Sequence, residues 1–284
     1  MYLCTFFHEI MRSFSEYLPF YRRNLKVAFP LMLTQVGASL AGLFDSIMVG
    51  HYATVDLAAV SLSNAIFFTI MVFAMGALMG ITPLVGFEVG KIHSLDSQQS
   101  EETQNSTRRI ASLLQNGISF TMILSGLMII LLSAVIPFLN RMGQEPEVIA
   151  VARPYYIMIV ISIIPFLFFF LQKQFLEGLG NTIVAMTITM VMNGLNILLN
   201  WVFIFGHWGF PAMGATGAGI ATLISRILMP VCFTIALLRH RHWRKYIQLF
   251  SRQLASWKEI MTLARIGAPI GGQTLLEAST FTLS

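Results

Sequence analysis

Long apolar runs, separated by short polar stretches, follow one another along this chain. A membrane-spanning helix needs about 20 mostly apolar residues, and six runs come close to that length or exceed it. They cover residues 27–49, 57–87, 110–139, 154–171, 183–205 and 217–238. A seventh run begins near Met261 and continues to Ser284. The pattern predicts an all-α membrane protein, with a six-helix transmembrane bundle followed by the start of a seventh helix.

The same pattern divides the chain into four segments. We predict an amphipathic cytoplasmic N-terminal segment at residues 1–26 and a six-helix transmembrane lobe at residues 27–238. A basic cytoplasmic linker at residues 239–261 and the truncated start of a second lobe at residues 262–284 follow. Because the sequence stops inside an apolar run, we interpret the chain as a fragment of a longer protein.

Charged residues are scarce in this sequence. Only 11% of the residues are charged and 56% are hydrophobic, whereas soluble domains contain roughly 25% charged residues. We therefore expect membrane lipids to surround most of the chain. Cys4 and Cys232 are too far apart in sequence to indicate a disulfide framework or a metal site. No HExxH or Gly-x-Ser-x-Gly signature lies in a predicted span, which argues against an intramembrane enzyme, and no cofactor is expected.

Lys and Arg residues cluster on alternate connections between the predicted spans. If the N-terminus is cytoplasmic, only Arg141 and Arg153 face the outside and Arg226 lies within a span, and the rest of the 18 basic residues are cytoplasmic. The positive-inside rule therefore predicts a multi-pass protein of the cell inner (plasma) membrane with a cytoplasmic N-terminus. The basic run at residues 239–245 directly follows a span, so we interpret it as a topology anchor that contacts anionic lipid, with no nucleic acid as partner.

Three ionisable residues lie inside apolar runs, namely Asp45, Arg226 and Glu277. An ionised group in mid-membrane costs about 2.5–3.5 kcal/mol on insertion scales, so each should face the bundle interior, a water-filled cavity or a partner. Asp45 continues a row of small and polar residues, and Gln35 lies on the adjoining row. The alternative for Asp45 is a helix-end carboxylate exposed to water. Arg226 can snorkel, pair with Asp45 or Glu277, or hold a gate.

Three asparagines in the fifth run share one helical face. Asn193, Asn196 and Asn200 are spaced i, i+3 and i+7. One interpretation is that they form hydrogen bonds between helices. The other is that their carbonyl oxygens line a cation site with Asp45, because hard cations such as Na⁺ prefer oxygen donors. The two interpretations are compatible.

Glu277 shares a helical row with Gln273 near the end of the chain. Pro269 and three nearby glycines precede it, so the helix can bend there. A buried glutamate beside a flexible segment is typical of transport proteins, and we predict Na⁺ at Asp45 or Glu277.

Several short motifs, in the right order, resemble the multidrug and toxin extrusion (MATE) family. They are PLMLTQ at 30–35, FDSIMVG at 44–50, LAAV at 57–60, EGLGN at 177–181, NILLNW at 196–201, GHWGFP at 206–211, GATG at 214–217 and LEASTF at 276–281. The resemblance implies a fold of two six-helix lobes. This chain would be the amino lobe of that twelve-helix fold.

The resemblance also implies roles for individual residues. The family's first-helix acidic residue matches Asp45, its fifth-helix amides match Asn196 and Asn200, and a sixth-helix threonine matches Thr222. The seventh-helix acidic residue of the Na⁺-coupled branch matches Glu277. Some relatives carry a further acidic residue on the fifth helix, where this chain has Asn200, so a mechanism with two carboxylates in this lobe is not implied.

We therefore expect a secondary active antiporter that exports cationic or amphipathic drugs in exchange for Na⁺ or H⁺. Its partners would be small organic cations and the missing carboxyl lobe. A flippase for lipid-linked oligosaccharide or lipid II, from the same superfamily, is an alternative and should have a more basic cavity. A membrane receptor or scaffold without transport, and a truncated product without function, are the others.

Overall fold

A computed structural model describes the backbone of residues 2–94, 100–250 and 256–283. The side chains of residues 2–20, 23, 100 and 281–283 are outside that description. The predicted amphipathic character of residues 1–20, the linker residues 251–255 and Ser284 therefore lie outside the described residues.

The described residues form α-helices and one 3₁₀ helix, connected by short loops. In chain order they are α1 (Tyr2–Tyr52), α2 (Thr54–Met79), α3 (Ile81–Ser94), α4 (Ser100–Ser133), the 3₁₀ helix (Ile136–Arg141), α5 (Pro146–Ile161), α6 (Ile163–Gly178), α7 (Thr182–Phe205), α8 (Gly214–Arg239), α9 (Arg241–Gln248) and α10 (Trp257–Leu283). The fold class is all-α, as predicted.

The described residues agree with the prediction of six membrane spans if one bent helix pair is counted as a single span. Five segments are long and apolar enough to cross a membrane: Asn24–Tyr52, Thr54–Ser94, Glu101–Arg141, Thr182–Phe205 and Gly214–Arg239. The sixth is the pair α5 and α6, bent by 43° at their junction. α10, the predicted seventh helix, begins at Trp257 and is not among the described segments that are long and apolar enough to cross a membrane.

Two helix junctions interrupt predicted spans. α2 ends before Gly80, and Pro83 lies in the first turn of α3. α5 ends before Ser162, and Pro165 lies in the first turn of α6. Proline has no backbone N–H to donate to the carbonyl one turn earlier. Both junctions therefore occur where one helical hydrogen bond cannot form. By contrast, Pro154 and Pro230 lie inside continuous helices.

The helix pair α5–α6 contributes many of the fully buried side chains of the bundle. Its fully buried side chains include Tyr156, Ile163, Leu167 and Phe175. On α4 the large apolar side chains at Met122, Ile130 and others remain exposed. This inside–outside distribution fits a bundle whose outer surface contacts lipid.

The end of the bundle at which α1 finishes is called here the Asp56 end. α2 begins there, and Asp56 in its first turn is buried and accepts a hydrogen bond of 2.6 Å from the backbone N–H of Ala215. Gly214, the first residue of α8, has φ +53°, and a Cβ on it would collide with Asp56 and Tyr52. α1, α2 and α8 are therefore fixed together at this end.

At the opposite end, α10 packs closely against α2. A Cβ on Gly76 would lie 2.6 Å from the Cα of Gly271, so the two backbones meet without side chains between them. Glu259 near the start of α10 forms an ion pair with Arg109 of α4. The linker contains α9, whose buried Trp243 and Tyr246 pack onto the bundle.

Candidate functional site

A cavity of about 500 Å³ lies between α1, α2, α6, α7 and α8. One part of its wall is polar and the other is aromatic or contains methionine. The polar lining comprises Thr34, Gln35, Ser39, Asp45, Lys173, Thr189, Asn193, Asn196, Thr222, Ser225 and Arg226. The apolar lining includes Phe68, Met75, Phe166, Phe169, Phe170 and Met229. Six of the residues predicted from sequence to form a site or gate therefore lie around one space.

The half-buried Asp45 is held by the asparagine face of α7. Asn200, which is fully buried, donates a hydrogen bond from its amide nitrogen to Oδ1 of Asp45. The same nitrogen lies 3.4 Å from Oδ1 of Asn196. The spacing of four residues between the two asparagines explains this contact, since i and i+4 are neighbours on a helix. No basic side chain forms a salt bridge with Asp45 in the part of the chain that the structure describes.

One oxygen atom without a hydrogen-bond partner in the described chain belongs to the asparagine that donates to this carboxylate. Oδ1 of Asn200 is buried and has no partner among the described residues. A buried carbonyl oxygen without a donor is costly, and a bound cation or water would satisfy it. Asp45, Asn200 and Asn196 thus offer the oxygen donors that suit Na⁺. Within the described ranges, no group of three His, Cys, Asp or Glu side chains could hold a metal ion.

Arg226 lies in the cavity wall, on α8. Its Nη1 donates a hydrogen bond of 2.7 Å to the Ser162 hydroxyl at the α5–α6 junction. The guanidinium carbon lies 4.8 Å from the ring centre of Phe67 and 4.9 Å from that of Phe166. Its charge interacts with that of Asp45, but no salt bridge joins it to Asp45, to Glu277 or to another carboxylate among the described residues. Of the three alternatives for Arg226, a salt bridge with Asp45 or Glu277 is therefore not seen in the described part of the chain.

The aromatic part of the wall comes mainly from α6. Phe166 packs against Phe169 and Phe170, with ring centres 5.9 and 6.4 Å apart. Lys173 continues this face, and its Nζ lies 3.4 Å from Oε1 of Glu177. Such a wall can bind the apolar body of an organic cation, while the charged groups orient it.

Glu277 and Gln273 lie outside the cavity. Both side chains are exposed on α10, and Nε2 of Gln273 donates to Oε1 of Glu277 at 2.8 Å. The expectation of a buried Glu277 is therefore wrong for the described chain, because the face of α10 that carries it has no neighbouring helix there. The hydrogen bond does follow from the predicted helical row.

Sequence reasoning did not assign Lys173 to the cavity and did not single out Asp56. Lys173 was counted only as a cytoplasmic basic residue, but it lines the cavity and is paired with Glu177. Its spacing of four residues from Glu177 is the signal that predicts such a pair. Asp56 lies in the first turn of a helix, a position that favours acidic side chains. No sequence signal connects it with Ala215.

Comparison with known proteins gives a consistent result. A family model described as MatE matches residues 30–202. A probable multidrug resistance protein NorM of Bacillus cereus (strain ATCC 10987 / NRS 248) is 31% identical over 275 residues, which cover 95% of this chain and 57% of that protein. Another, of Photorhabdus laumondii subsp. laumondii, is 32% identical over 250 residues, which cover 88% of this chain and 52% of that protein. The chain spans about half the length of the curated relatives it matches.

A solved structure has a similar fold. It is described as the outward-facing conformation of a multidrug resistance MATE family transporter of the MOP superfamily. It superimposes with a TM-score of 0.72 at 23% sequence identity, over 89% of this chain and 52% of that one.

Proposed function

Because this chain belongs to the multidrug and toxin extrusion (MATE) family, we propose that the protein is a secondary active antiporter that exports cationic or amphipathic drugs in exchange for Na⁺ or H⁺. The observation that carries this proposal is the position of Asp45. It is a carboxylate without a salt bridge among the described residues, and it lines a cavity with an aromatic wall.

The mechanism follows from competition for one negative charge. A carboxylate in a site with little water is stabilised by a proton, by Na⁺ or by a cationic substrate. Two of these cannot bind at once without leaving an uncompensated positive charge. Entry of a coupling ion from one side then favours release of the drug, and the ion gradient sets the direction of transport.

Each part of the cavity has a role in this scheme. Asp45 binds the cation, and Asn200 orients the carboxylate through the hydrogen bond that it donates. Asn196 and Thr222 supply further oxygen atoms, while Gln35 and Asn193 line the path to the site. The phenylalanines of α6 hold the apolar part of the drug. We extend the proposal to Glu277, which would bind a cation together with helices of the missing carboxyl lobe.

The proposal includes the setting of the protein. The chain is multi-pass, and we place it in the cell inner (plasma) membrane with a cytoplasmic N-terminus, on the basis of its Lys and Arg distribution. The flippase alternative calls for a more basic cavity. In the described lining Lys173 is paired with Glu177 and only Arg226 remains without an ion pair, so drug export is the function that we propose.

The test is ethidium export by everted membrane vesicles from cells that express the protein. We expect Asp45→Asn to lower ion-coupled export at least about 100-fold, because the amide keeps the shape and removes the charge. The matched control is Glu102→Gln, an exposed carboxylate on α4. An ion-coupled export rate in Asp45→Asn equal to that of the wild type would overturn the proposal.

A further inference from the structure

Another cavity lies on a different face of α6 and α8 from the one that contains Asp45. We call it the α6–α8 groove, and its volume is about 460 Å³. Nε2 of Gln172 on α6 donates a hydrogen bond of 2.7 Å to the hydroxyl of Thr234 on α8. Among the described residues, none that lines the groove also lines the Asp45 cavity. The groove is lined by Ile164, Pro165, Phe168, Gln172, Ile227, Pro230, Val231, Thr234 and Ile235.

The α8 side of the groove is part of the outer surface of the bundle. Ile227, Val231 and Ile235 are all exposed, and their spacing of four residues places them on one row of α8. The exposed Leu238 extends this row into the last turn of the helix. In a multi-pass membrane protein, an exposed apolar row contacts acyl chains. The groove beside this row can therefore take one acyl chain.

The short helix α9 lies at the end of the groove where α8 finishes. Phe168, Gln172 and Phe175 share one row of α6, because they are spaced by four and three residues. Phe168 and Gln172 line the groove, whereas Phe175 is fully buried. The ring of Phe175 contacts that of Tyr246 on α9, with 6.0 Å between the ring centres. The α6 row that lines the groove therefore continues beneath α9.

α9 has an apolar face toward the bundle and a basic face away from it. Trp243 and Tyr246 are buried, whereas Arg241, Arg244 and Lys245 are exposed. The spacing of the three basic residues, i, i+3 and i+4, places them on one side of the helix. The buried aromatic residues fix α9 on the bundle, so the position of the basic face is fixed as well.

One more arginine connects this basic face with the groove. Arg239 is exposed and is the last residue of α8, about 6 Å along the helix axis from Ile235 in the groove lining. Within the described ranges, no carboxylate lies at salt-bridge distance from Arg239 or from the three basic residues of α9. An apolar groove thus ends at a group of positive charges that no acidic side chain of the described chain neutralises.

We propose that the α6–α8 groove and the basic face of α9 form one binding site for an anionic phospholipid, with an acyl chain in the groove and the phosphate at Arg239, Arg241 and Arg244. Guanidinium groups bind phosphate through two parallel hydrogen bonds, and basic pockets beside membrane helices bind anionic headgroups. The sequence predicts contact of this basic run with anionic lipid in general. The groove turns that contact into a defined site, which is separate from the Asp45 cavity and does not depend on the export function.

The test is thermal unfolding of the purified protein in a neutral detergent, during titration with dioleoylphosphatidylglycerol. We expect this anionic lipid to raise Tm in a saturable way. Dioleoylphosphatidylcholine has the same acyl chains and no net charge, so it should need at least about tenfold more lipid for the same shift. Inorganic phosphate cannot fill the groove and should leave Tm unchanged. An equal response to the neutral lipid, or to phosphate alone, would overturn the proposal.

The charged half of the site is tested by a triple variant, Arg239→Gln, Arg241→Gln and Arg244→Gln. Because three phosphate-binding charges are lost, the phosphatidylglycerol concentration at the half-maximal Tm shift should rise at least about tenfold. All three side chains are exposed, so the variant should fold.

The matched control removes three exposed charges that lie elsewhere in the chain, through Arg22→Gln, Lys26→Gln and Lys258→Gln. It should leave the half-maximal concentration unchanged. If the control raises that concentration as much as the arginine variant does, the lipid responds only to the total positive charge, and the proposed site is wrong.

The apolar half of the site is tested by Val231→Trp, which fills the groove from an exposed position and leaves every charge in place. The half-maximal phosphatidylglycerol concentration should rise about fivefold, which is informative even if the arginine variant fails to fold. Ile123→Trp, at an exposed position of α4 outside the groove, is the control and should have no effect. An unchanged concentration in Val231→Trp would overturn the proposal, since the headgroup would then bind without the groove.

Discussion

Two carboxylates lie near the same end of this bundle, and their surroundings differ. Asp56 is buried against the start of α8, where the N–H of Ala215 donates to it. Asp45 lines the cavity, where Asn200 donates to it and the carbonyl oxygen of Asn200 has no hydrogen-bond partner in the described ranges. The protein backbone satisfies the first carboxylate, at a helix N-terminus whose dipole favours negative charge. The second faces the cavity, where we propose that a cation binds. The two carboxylates therefore differ in their hydrogen-bond donors, which are a backbone N–H for Asp56 and a side-chain amide for Asp45.

The sharpest test of this comparison exchanges each carboxylate for its amide. A ligand at about 100 times its Kd raises the free energy of unfolding by about 2.7 kcal/mol. We expect Na⁺ or ethidium to stabilise the wild type and Asp56→Asn by this amount and to stabilise Asp45→Asn hardly at all. Thermal unfolding of the purified protein with and without ligand measures this ligand-induced stabilisation. An equal loss of ligand-induced stabilisation in Asp45→Asn and Asp56→Asn would contradict the proposed difference between the two carboxylates.

A methyl group at Gly214 tests the structural carboxylate without changing its chemistry. Gly214→Ala places a Cβ against Asp56 and Tyr52 at a residue with φ +53°, so the free energy of unfolding should fall by about 2 kcal/mol. Gly126→Ala is the control, because a Cβ there has open space around it in α4. Denaturant unfolding compares the two, and a neutral Gly214→Ala would contradict the close contact.

Removal of the Asp56 side chain should have a somewhat smaller effect. Asp56→Ala leaves the first turn of α8 without its acceptor, so the free energy of unfolding should fall by about 1–2 kcal/mol. Asp56→Asn keeps an oxygen for the Ala215 N–H and should lose less than half of that. If the alanine and asparagine variants are equally destabilised, charge alone matters at this position.

The smallest effect is expected for Asn196, whose side chain contacts Asn200. Asn196→Ala removes a long hydrogen bond of 3.4 Å to Asn200, which corresponds to roughly 0.5–1 kcal/mol. Cation affinity should fall about two- to fivefold, as titration of ligand-induced fluorescence changes would show. Asn140→Ala, at an exposed asparagine of the 3₁₀ helix, is the control. A loss as large as that of Asp45→Asn would mean that Asn196 contributes as much to cation binding as the carboxylate does.

The spans and the Asp45 side of the cavity could be read from the sequence because each rests on a local rule. Apolar length predicts a span, and the i, i+3, i+7 spacing places Asn193, Asn196 and Asn200 on one face. An ionised side chain inside an apolar run is unfavourable in lipid, and this rule identifies Asp45 as a candidate site residue. The structure brings these residues to one cavity through the packing of α1 against α7.

Other features depend on contacts between distant segments. The neighbours of Arg226 come from α2, from α6 and from the α5–α6 junction, and no spacing rule connects Phe67, Phe166 and Ser162. The exposure of Glu277 on the described chain could not be predicted for a related reason. Helical periodicity says which residues share a face, and it does not say whether another helix covers that face.

The contact between Gly214 and Asp56 also limits how related sequences can differ. The space that a side chain at position 214 would need is filled by the carboxylate at position 56. A lineage that acquires a larger residue at 214 must therefore shorten or remove the acid at 56, and the helix start must find another acceptor. The two positions, 158 residues apart in the numbering, are expected to change together or not at all.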